Sequence, residues 1–488
     1  MSEFPRLRIH ADRLEARGSF AEAQATFLQP DQASVEQLDL LLARANAGVV
    51  AHFYMDPELQ GVLSACHWPH IHISDSLVMA DRAVKMAQAG VAAILVAGVD
   101  FMSENVRAVM DSAGFAQVPV YRLAKAAIGC SLAEAAQTDA YLAFLRKAAA
   151  TPRSLHVVYI NTSLRTKAVA QQLVPTITCT SSNVVQTILQ AAAQVEDLHV
   201  WYGPDTYMGH NLQTLLSTYS RMSDSAVAAL HPQHTPQTIA ELLQRFHPFE
   251  QGHCIVHHLF GAEVVAQVRR DHPQAFLTAH LEVPGEMFAL ATEAQRQGRG
   301  AVGSTSNLLD FIVAQVARLD ESAVQQLGGA VEFVLGTEAG MVTSIVRAVQ
   351  QQLRATGKQV AVDIVFPVAA ESVTQTGDAL MPLVPGPAAG EGCSTAGGCA
   401  TCPYMKMNHL DGLQDVLRTV ARQAQSGQGK DLRDLQELQP RMERRSADGL
   451  DVVQLGSVPI LQMREFQRSG RLSQALVDAV CHAPSSSL

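Results

Sequence analysis

The sequence predicts an α/β protein of three small units with parallel strands, related by a pseudo-threefold axis. Three observations predict it. With 488 residues, 48% of them hydrophobic, the chain can fill about three cores at ~150 residues per domain. From residue 48 onward, short β-branched strands alternate with polar loops and amphipathic helices, as in layers built on parallel strands. That texture also recurs three times in one order: a strand ending in polar residues, a helix, a Ser/Thr-rich loop, a second helix, and a strand closing on an acidic, glycine-containing turn.

The elements follow in order. Residues 7–16 and 34–47 read as polar-faced helices, so 1–47 is expected to be a helical lead-in to a first strand at 48–54. The first unit, 48–128, carries VVAHFY, ISDSL and ILVAGVDFM; the second, 129–253, HVVYINTS, TCTSSN and HVWYGPDTYMG; the third, 254–392, FLTAHLE, VGSTSN and FVLGTEAGM. Residues 215–250, polar and holding His231, Pro232, His234 and Pro236, read as an insertion in the second unit. Residues 393–488 are a cysteine loop and a helical segment expected to pack on the first unit. Within it, 423–446 alternate in charge sign as a solvated linker or helix does, and LSQALVDAV reads as a packing helix.

A formal charge of −10 without a basic stripe removes the counterion-release term that drives nucleic-acid or anionic-membrane binding. The longest apolar stretch, around 91–99, is about half of the ~20 residues that span a bilayer, and the N-terminus has no apolar h-region. These features lead to the expectation of a cytoplasmic protein with no nucleic-acid or membrane partner. Eight cysteines in so long a chain are too sparse for a disulfide scaffold, which directs attention to metal binding or catalysis.

Their placement is informative, because one follows each unit: Cys130, Cys254, and the cluster Cys393, Cys399, Cys402. Three soft ligands from three related loops are able to converge on one metal centre at the axis. The C-x2-C of Cys399 and Cys402 allows a zinc site, a redox pair or an iron–sulfur cluster, and the spacing alone does not choose. Near the strand ends, His52, Tyr54, Tyr159, His257, His280 and Glu282 are candidates for proton transfer, and Ser76, Asn161, Ser181 and Thr305 for anion binding at helix starts. Serine and threonine before helices are also ordinary N-caps, and a single histidine such as His72 or His253 is more often structural than catalytic. Cys66 and Cys481 stand away from the junctions and read as small apolar residues.

Together these motifs resemble the quinolinate synthase family. The residues that carry the resemblance are AHFYMDPELQ (51–60), SDSL (74–77), AGVDFM (97–102), GCSLAEA (129–135), VVYINTS (157–163), TSSN (180–183), PDTYMG (204–209), CIVH (254–257), HLE (280–282), GSTSNL (303–308), TEAGM (337–341) and CATCPYMKMN (399–408). The resemblance implies three αβα domains around a central [4Fe–4S] cluster held by Cys130, Cys254 and Cys402. It also implies condensation of iminoaspartate with dihydroxyacetone phosphate to quinolinate, phosphate and water, with an aspartate-oxidising enzyme as metabolic supplier. His52, Ser76, Tyr159, Ile160, Asn161, Ser181, His280, Leu281, Glu282 and Thr305 would line the substrate pocket, with Tyr54, Glu282, His52 and His280 catalytic. Ser181 and Thr305 are expected to hold anionic groups while Glu282 and Tyr54 move protons. Cys393 and Cys399 match positions that are not ligands in the family and read as two thiols or a regulatory disulfide.

The family's His-Pro-Glu is His280-Leu281-Glu282 here, which is expected to loosen the backbone. Two rival readings are a different three-cysteine iron–sulfur enzyme and a zinc-stabilised scaffold without activity.

Overall fold

The computed structural model describes residues 3–326, 328–367, 401–426, 429–446 and 449–482; Cys393 and Cys399 lie outside them. The chain forms two compact units. The first is Met1–Val99, Phe115–Gly129 and Ile255–Pro440, and the second is Asp100–Gly114, Cys130–Cys254 and Arg441–Leu488. The chain therefore passes from one unit to the other immediately before Cys130 and immediately after Cys254.

The fold is α/β with three largely parallel sheets. The first unit holds two of them: one runs Ile71–Ser74, Ala47–His52, Ala93–Ala97, Val120–Arg122, the other Gly300–Gly303, Phe276–His280, Ala330–Gly336, Ala361–Val365. The second unit holds Thr176–Cys179, Ser154–Tyr159, His199–Gly203, Phe246–Pro248. In chain order each sheet reads second, first, third, fourth, all parallel, so the repeat read in the sequence is one strand topology used three times. The central strands AGVVAH, AILVA and SLHVVY are buried along their whole length, which explains their largely apolar character: helices cover both faces of such a sheet.

Residues 7–16 are not a helix. Arg6–Ile9 and Leu14–Arg17 form a hairpin that extends the third sheet, antiparallel to Ala361–Val365. The reason is visible in the residues: Arg6 and Arg8 alternate with buried Leu7 and Ile9, a period of two. Arg8 then grips the buried Asp363 carboxylate through two bonds of 2.7 and 2.8 Å. The second expected helix is Gln32–Ala45, started by Asp31, whose side chain accepts from Ser34 N–H. The first parallel strand ends at His52, and Phe53 and Tyr54 follow it in a turn.

The 215–250 stretch contains helices Asp224–Leu230 and Pro236–Gln244, then Phe246–Pro248, the fourth strand of its sheet. Set against the other two sheets, only the two helices are additional. His231 and His234 pin them down, His231 Nε2 on Gln190 (3.0 Å) and His234 Nε2 on the Leu189 carbonyl (2.7 Å). The C-terminal segment divides between the units. Leu410–Ser426 packs on Gln32–Ala45 beside the first sheet, whereas Val452–Ser469 packs on Leu164–Leu173 and Thr176–Cys179 in the second unit. Gly456 permits that approach, since a Cβ there would lie 2.4 Å from the Leu164 carbonyl oxygen.

Candidate active site

Each sheet presents the same pair of strand ends. The register pairs His52 with Ser74, Tyr159 with Cys179, and His280 with Gly303. One residue further, the same hydrogen bond recurs: Phe53 N–H to Ser74 O (3.1 Å), Ile160 N–H to Cys179 O (2.8 Å), and Leu281 N–H to Gly303 O (3.1 Å). Two residues beyond the paired positions stand Tyr54, Asn161 and Glu282 on one side and Ser76, Ser181 and Thr305 on the other. The expected site residues thus occupy equivalent places in three copies of one motif, at the carboxyl ends of parallel strands where α/β sheets bind ligands. Leu281 does not loosen this motif. Its N–H supplies a bond that proline in the same place would lack.

In the first unit the motifs bring His52, Tyr54, His280, Glu282 and Thr305 together with His257. His52 Nδ1 accepts from Tyr54 N–H (3.2 Å) and His280 Nδ1 from Glu282 N–H (3.3 Å), so each ring, when neutral, carries its proton on Nε2. Burial is the main force on both: it pushes His52 down to about 3 and His280 to about 4, despite the opposing pull of Glu282. Both are therefore neutral donors at ordinary pH. The His257 ring stacks on His280, with centroids 4.8 Å apart and planes 2° from parallel.

A continuous hydrogen-bonded chain crosses this cluster. Glu282 Oε2 lies 3.1 Å from His257 Nδ1, His257 Nε2 3.4 Å from Thr337 Oγ1, Thr337 Oγ1 3.2 Å from the Tyr54 hydroxyl, and that hydroxyl 2.8 Å from Thr305 Oγ1. Burial holds the Tyr54 phenol well above its ordinary range, so it stays protonated. The helix at Thr305 is capped by Ser304 in a capping box with Asn307, leaving the Thr305 hydroxyl to Tyr54 rather than to the helix. Asp75, not Ser76, caps the helix at Ser76–Gln88, and its carboxylate also accepts from Ser306 Oγ (2.9 Å).

Thr337 and Glu338 belong to the site but were not singled out in the sequence. Glu338, 1% exposed, accepts from Gly340 N–H (3.1 Å) and Cys402 N–H (2.8 Å). Burial, outweighing these bonds, pushes its carboxyl up to about 8. Gly340 is required next to it, because a Cβ would come within 2.7 Å of both Glu338 Oε2 and Tyr54 Cα. The only sign available beforehand was that TEAGM closes the third strand just as the acidic turns at Asp100 and Asp205 close the others.

In the second unit, Tyr159 and Ile160 are buried, and Asn161 and Ser181 are half-buried. Lys167, also missed, supports their loop from beneath. Fully buried, its ammonium donates to the carbonyls of Ile160 (3.2 Å) and Thr162 and to Thr162 Oγ1 (2.9 Å). Burial brings it down to about 7 against the opposing attraction of Glu104, which itself accepts from Leu164 N–H (2.7 Å).

The six described cysteines are thiols. Burial pushes Cys66 up to about 12 and raises Cys179 strongly, so both are inert. Cys130, Cys254 and Cys402 are half-buried, as Cys66 is. Within the second unit, Ser131 Oγ donates to the His253 carbonyl (2.9 Å), which holds the Cys130 and Cys254 loops side by side. In the first unit, Cys402 is held by Glu338. Partly accessible thiols on anchored loops suit a thiophilic metal group.

The chain matches the family described as "Quinolinate synthetase A protein" over residues 36–431. It is 54% identical to the chloroplastic quinolinate synthase of Nicotiana tabacum over 98% of this chain and 66% of that protein. With its counterpart from Arabidopsis thaliana it shares 52% identity over 98% and 67%. A quinolinate synthase of Prochlorococcus marinus is 26% identical over 78% of this chain and 81% of its own length. The chain thus spans about two thirds of the length of its plant relatives. The relatives at 50–54% identity are named chloroplastic, which overturns the expectation of a cytoplasmic protein. A missing h-region does not bear on this, since transit peptides to plastids are amphipathic and need none. With the family match covering most of the chain and the strand-end motifs recurring three times, the chain belongs to the quinolinate synthetase A family.

Proposed function

We propose that this chain is a quinolinate synthase of de novo NAD biosynthesis, acting in the chloroplast, that condenses iminoaspartate with dihydroxyacetone phosphate to quinolinate, phosphate and water. The observation that carries the proposal is the buried cluster of His52, Tyr54, His257, His280, Glu282 and Thr305 at the strand ends of the first unit, in a chain half identical to named quinolinate synthases. Cys130, Cys254 and Cys402 would hold a [4Fe–4S] cluster; their half-buried thiols on anchored loops fit it, and Cys66, Cys179 and Cys481 do not match the family's ligand positions. When bound, a cluster with three protein ligands supplies an iron open to a substrate hydroxyl, a Lewis acid for dehydration.

The chain's own residues account for the rest. His52 and His280, neutral and protonated on Nε2, donate to carboxylate or carbonyl oxygens of the substrates. Glu282 takes a proton from a substrate carbon, and Tyr54, held as the phenol, returns one to oxygen. Asn161 and Ser181 offer an amide and a hydroxyl to an anionic group. Iminoaspartate would come from an aspartate-oxidising enzyme.

Anaerobic incubation of the reconstituted protein with iminoaspartate and dihydroxyacetone phosphate, read as quinolinate, tests the proposal. No quinolinate from protein carrying a full cluster would refute it. Colourless protein with stoichiometric zinc and no absorbance near ~400 nm would favour the scaffold reading instead.

A further inference from the structure

We propose that Lys167 is a positioning residue for substrate: it turns the Asn161 N–H away from itself, and this N–H, with the Asn161 amide and the Ser181 hydroxyl, binds an anionic substrate group. The proposal rests on the quinolinate synthase reading. It comes from comparing the three copies of the strand-end motif. In each, the following helix is capped four residues past His52, Tyr159 or His280, at Asp56, Ser163 and Pro284, and its fourth residue is Gln60, Lys167 or Phe288. These three side chains are all buried, at 0%, 0% and 1% exposure. The third copy fills the place with a phenyl ring, and in the first neither amide atom of Gln60 has a partner among the described residues. The fold therefore does not require an ammonium there.

The turn differs where the ammonium is. In the first and third copies Met55 N–H donates to the His52 carbonyl (3.2 Å) and Val283 N–H to the His280 carbonyl (3.3 Å), while the N–H groups of Tyr54 and Glu282 are taken by the imidazoles. In the second, Thr162 N–H donates to the Ile160 carbonyl instead (2.7 Å), and Lys167 binds the carbonyls of Ile160 and Thr162 and the Thr162 hydroxyl. Across a trans peptide the carbonyl and the next N–H point in opposite directions, so drawing the Ile160 carbonyl onto the ammonium directs the Asn161 N–H away from it. Tyr159 has no ring nitrogen to accept that N–H, which has no partner among the described residues. A backbone N–H beside an amide and a hydroxyl suits a carboxylate or phosphate oxygen. Glu104, 6% exposed and accepting from Leu164 N–H, offsets the charge of Lys167, so the lysine acts through its hydrogen bonds.

The test uses the full chain with its cluster reconstituted anaerobically, each substrate being varied in turn for wild type and Lys167→Met. Lys167→Met should raise KM for one substrate about 10- to 100-fold, the range for a lost hydrogen bond to a charged group, with kcat and the other KM within about 3-fold. A rise for iminoaspartate assigns the Asn161 N–H to a carboxylate, and a rise for dihydroxyacetone phosphate assigns it to the phosphate. A lysine that only stabilised the fold would change the amount of active enzyme and leave both KM values where they were. Both KM values unchanged or changed equally, or a loss confined to kcat, would therefore overturn the proposal. Should Lys167→Met fail to fold, Lys167→Gln, which keeps a shorter, neutral donor, makes the same comparison with a rise of about 3- to 10-fold. Wild type that makes no quinolinate would overturn the functional reading itself, a result distinct from unshifted KM values in the variant.

Discussion

Replacing Lys167 by methionine isolates what a buried ammonium does for the loop at Ile160 to Thr162. Methionine keeps an unbranched apolar stem but removes the donor shared by the two carbonyls; that of Ile160 still accepts from Thr162 N–H (2.7 Å), so the cost falls on the Thr162 carbonyl, at about 1–3 kcal/mol. It also strips Glu104, 6% exposed, of its nearby cation. Against this, the variant is spared the cost of burying a charge, and that cost depends on pH. The Lys167 pKa falls from 10.5 to about 7 on folding. Between those values the unfolded chain holds a proton that the folded chain has released, so raising the pH favours the folded state. Below about 7 both states are charged and wild type carries the full penalty.

The loss in Lys167→Met should therefore be about 1–3 kcal/mol at pH 9 and smaller at pH 6.5, the gap between the proteins widening by about 1–3 kcal/mol. Urea unfolding of both proteins at the two pH values, followed by circular dichroism, measures it. Wild-type and variant stabilities that move in parallel with pH would refute the reasoning. So would a variant as stable as wild type at pH 9.

Other outcomes follow from the same geometry. Glu282→Gln should lower kcat about 100- to 1000-fold with little change in the melting temperature; near-normal quinolinate formation would remove Glu282 from proton transfer. Cys402→Ala, purified anaerobically, should lose iron and its absorbance near ~400 nm while Cys66→Ala keeps both, as iron analysis and spectra would record. Leu281→Pro, which installs the family's residue, should destabilise by about 1–2 kcal/mol through loss of the bond to the Gly303 carbonyl, read from the urea midpoint.

Much of the site was legible because short motifs do local work. His-x-Tyr and His-x-Glu each set a strand-end imidazole on the backbone N–H two residues on, a geometry that depends on neighbours in sequence alone. Thr337, Glu338 and Lys167 were not legible in this way. Their partners lie 64 to 283 positions away, or, for Lys167, in a loop whose carbonyls are turned onto the ammonium only in the packed structure. The N-terminal hairpin was misread because RLRI alternates over only four residues, and what makes it a strand is the edge of a sheet formed more than 350 residues later.

The sequence by itself determined the α/β class, the threefold repetition of one strand order and the chemistry at the strand ends. Periodicity, β-branching and capping residues act over a few positions and leave their mark in order. The tertiary structure decided which of those residues share one buried cluster and that Leu281 restores the ladder bond its proline counterpart would forgo. It also divided the C-terminal helices between two units. These depend on burial and on distances between residues remote in sequence, which raise a carboxyl, lower an imidazole or join five groups in one hydrogen-bonded chain only after the strands have been brought side by side.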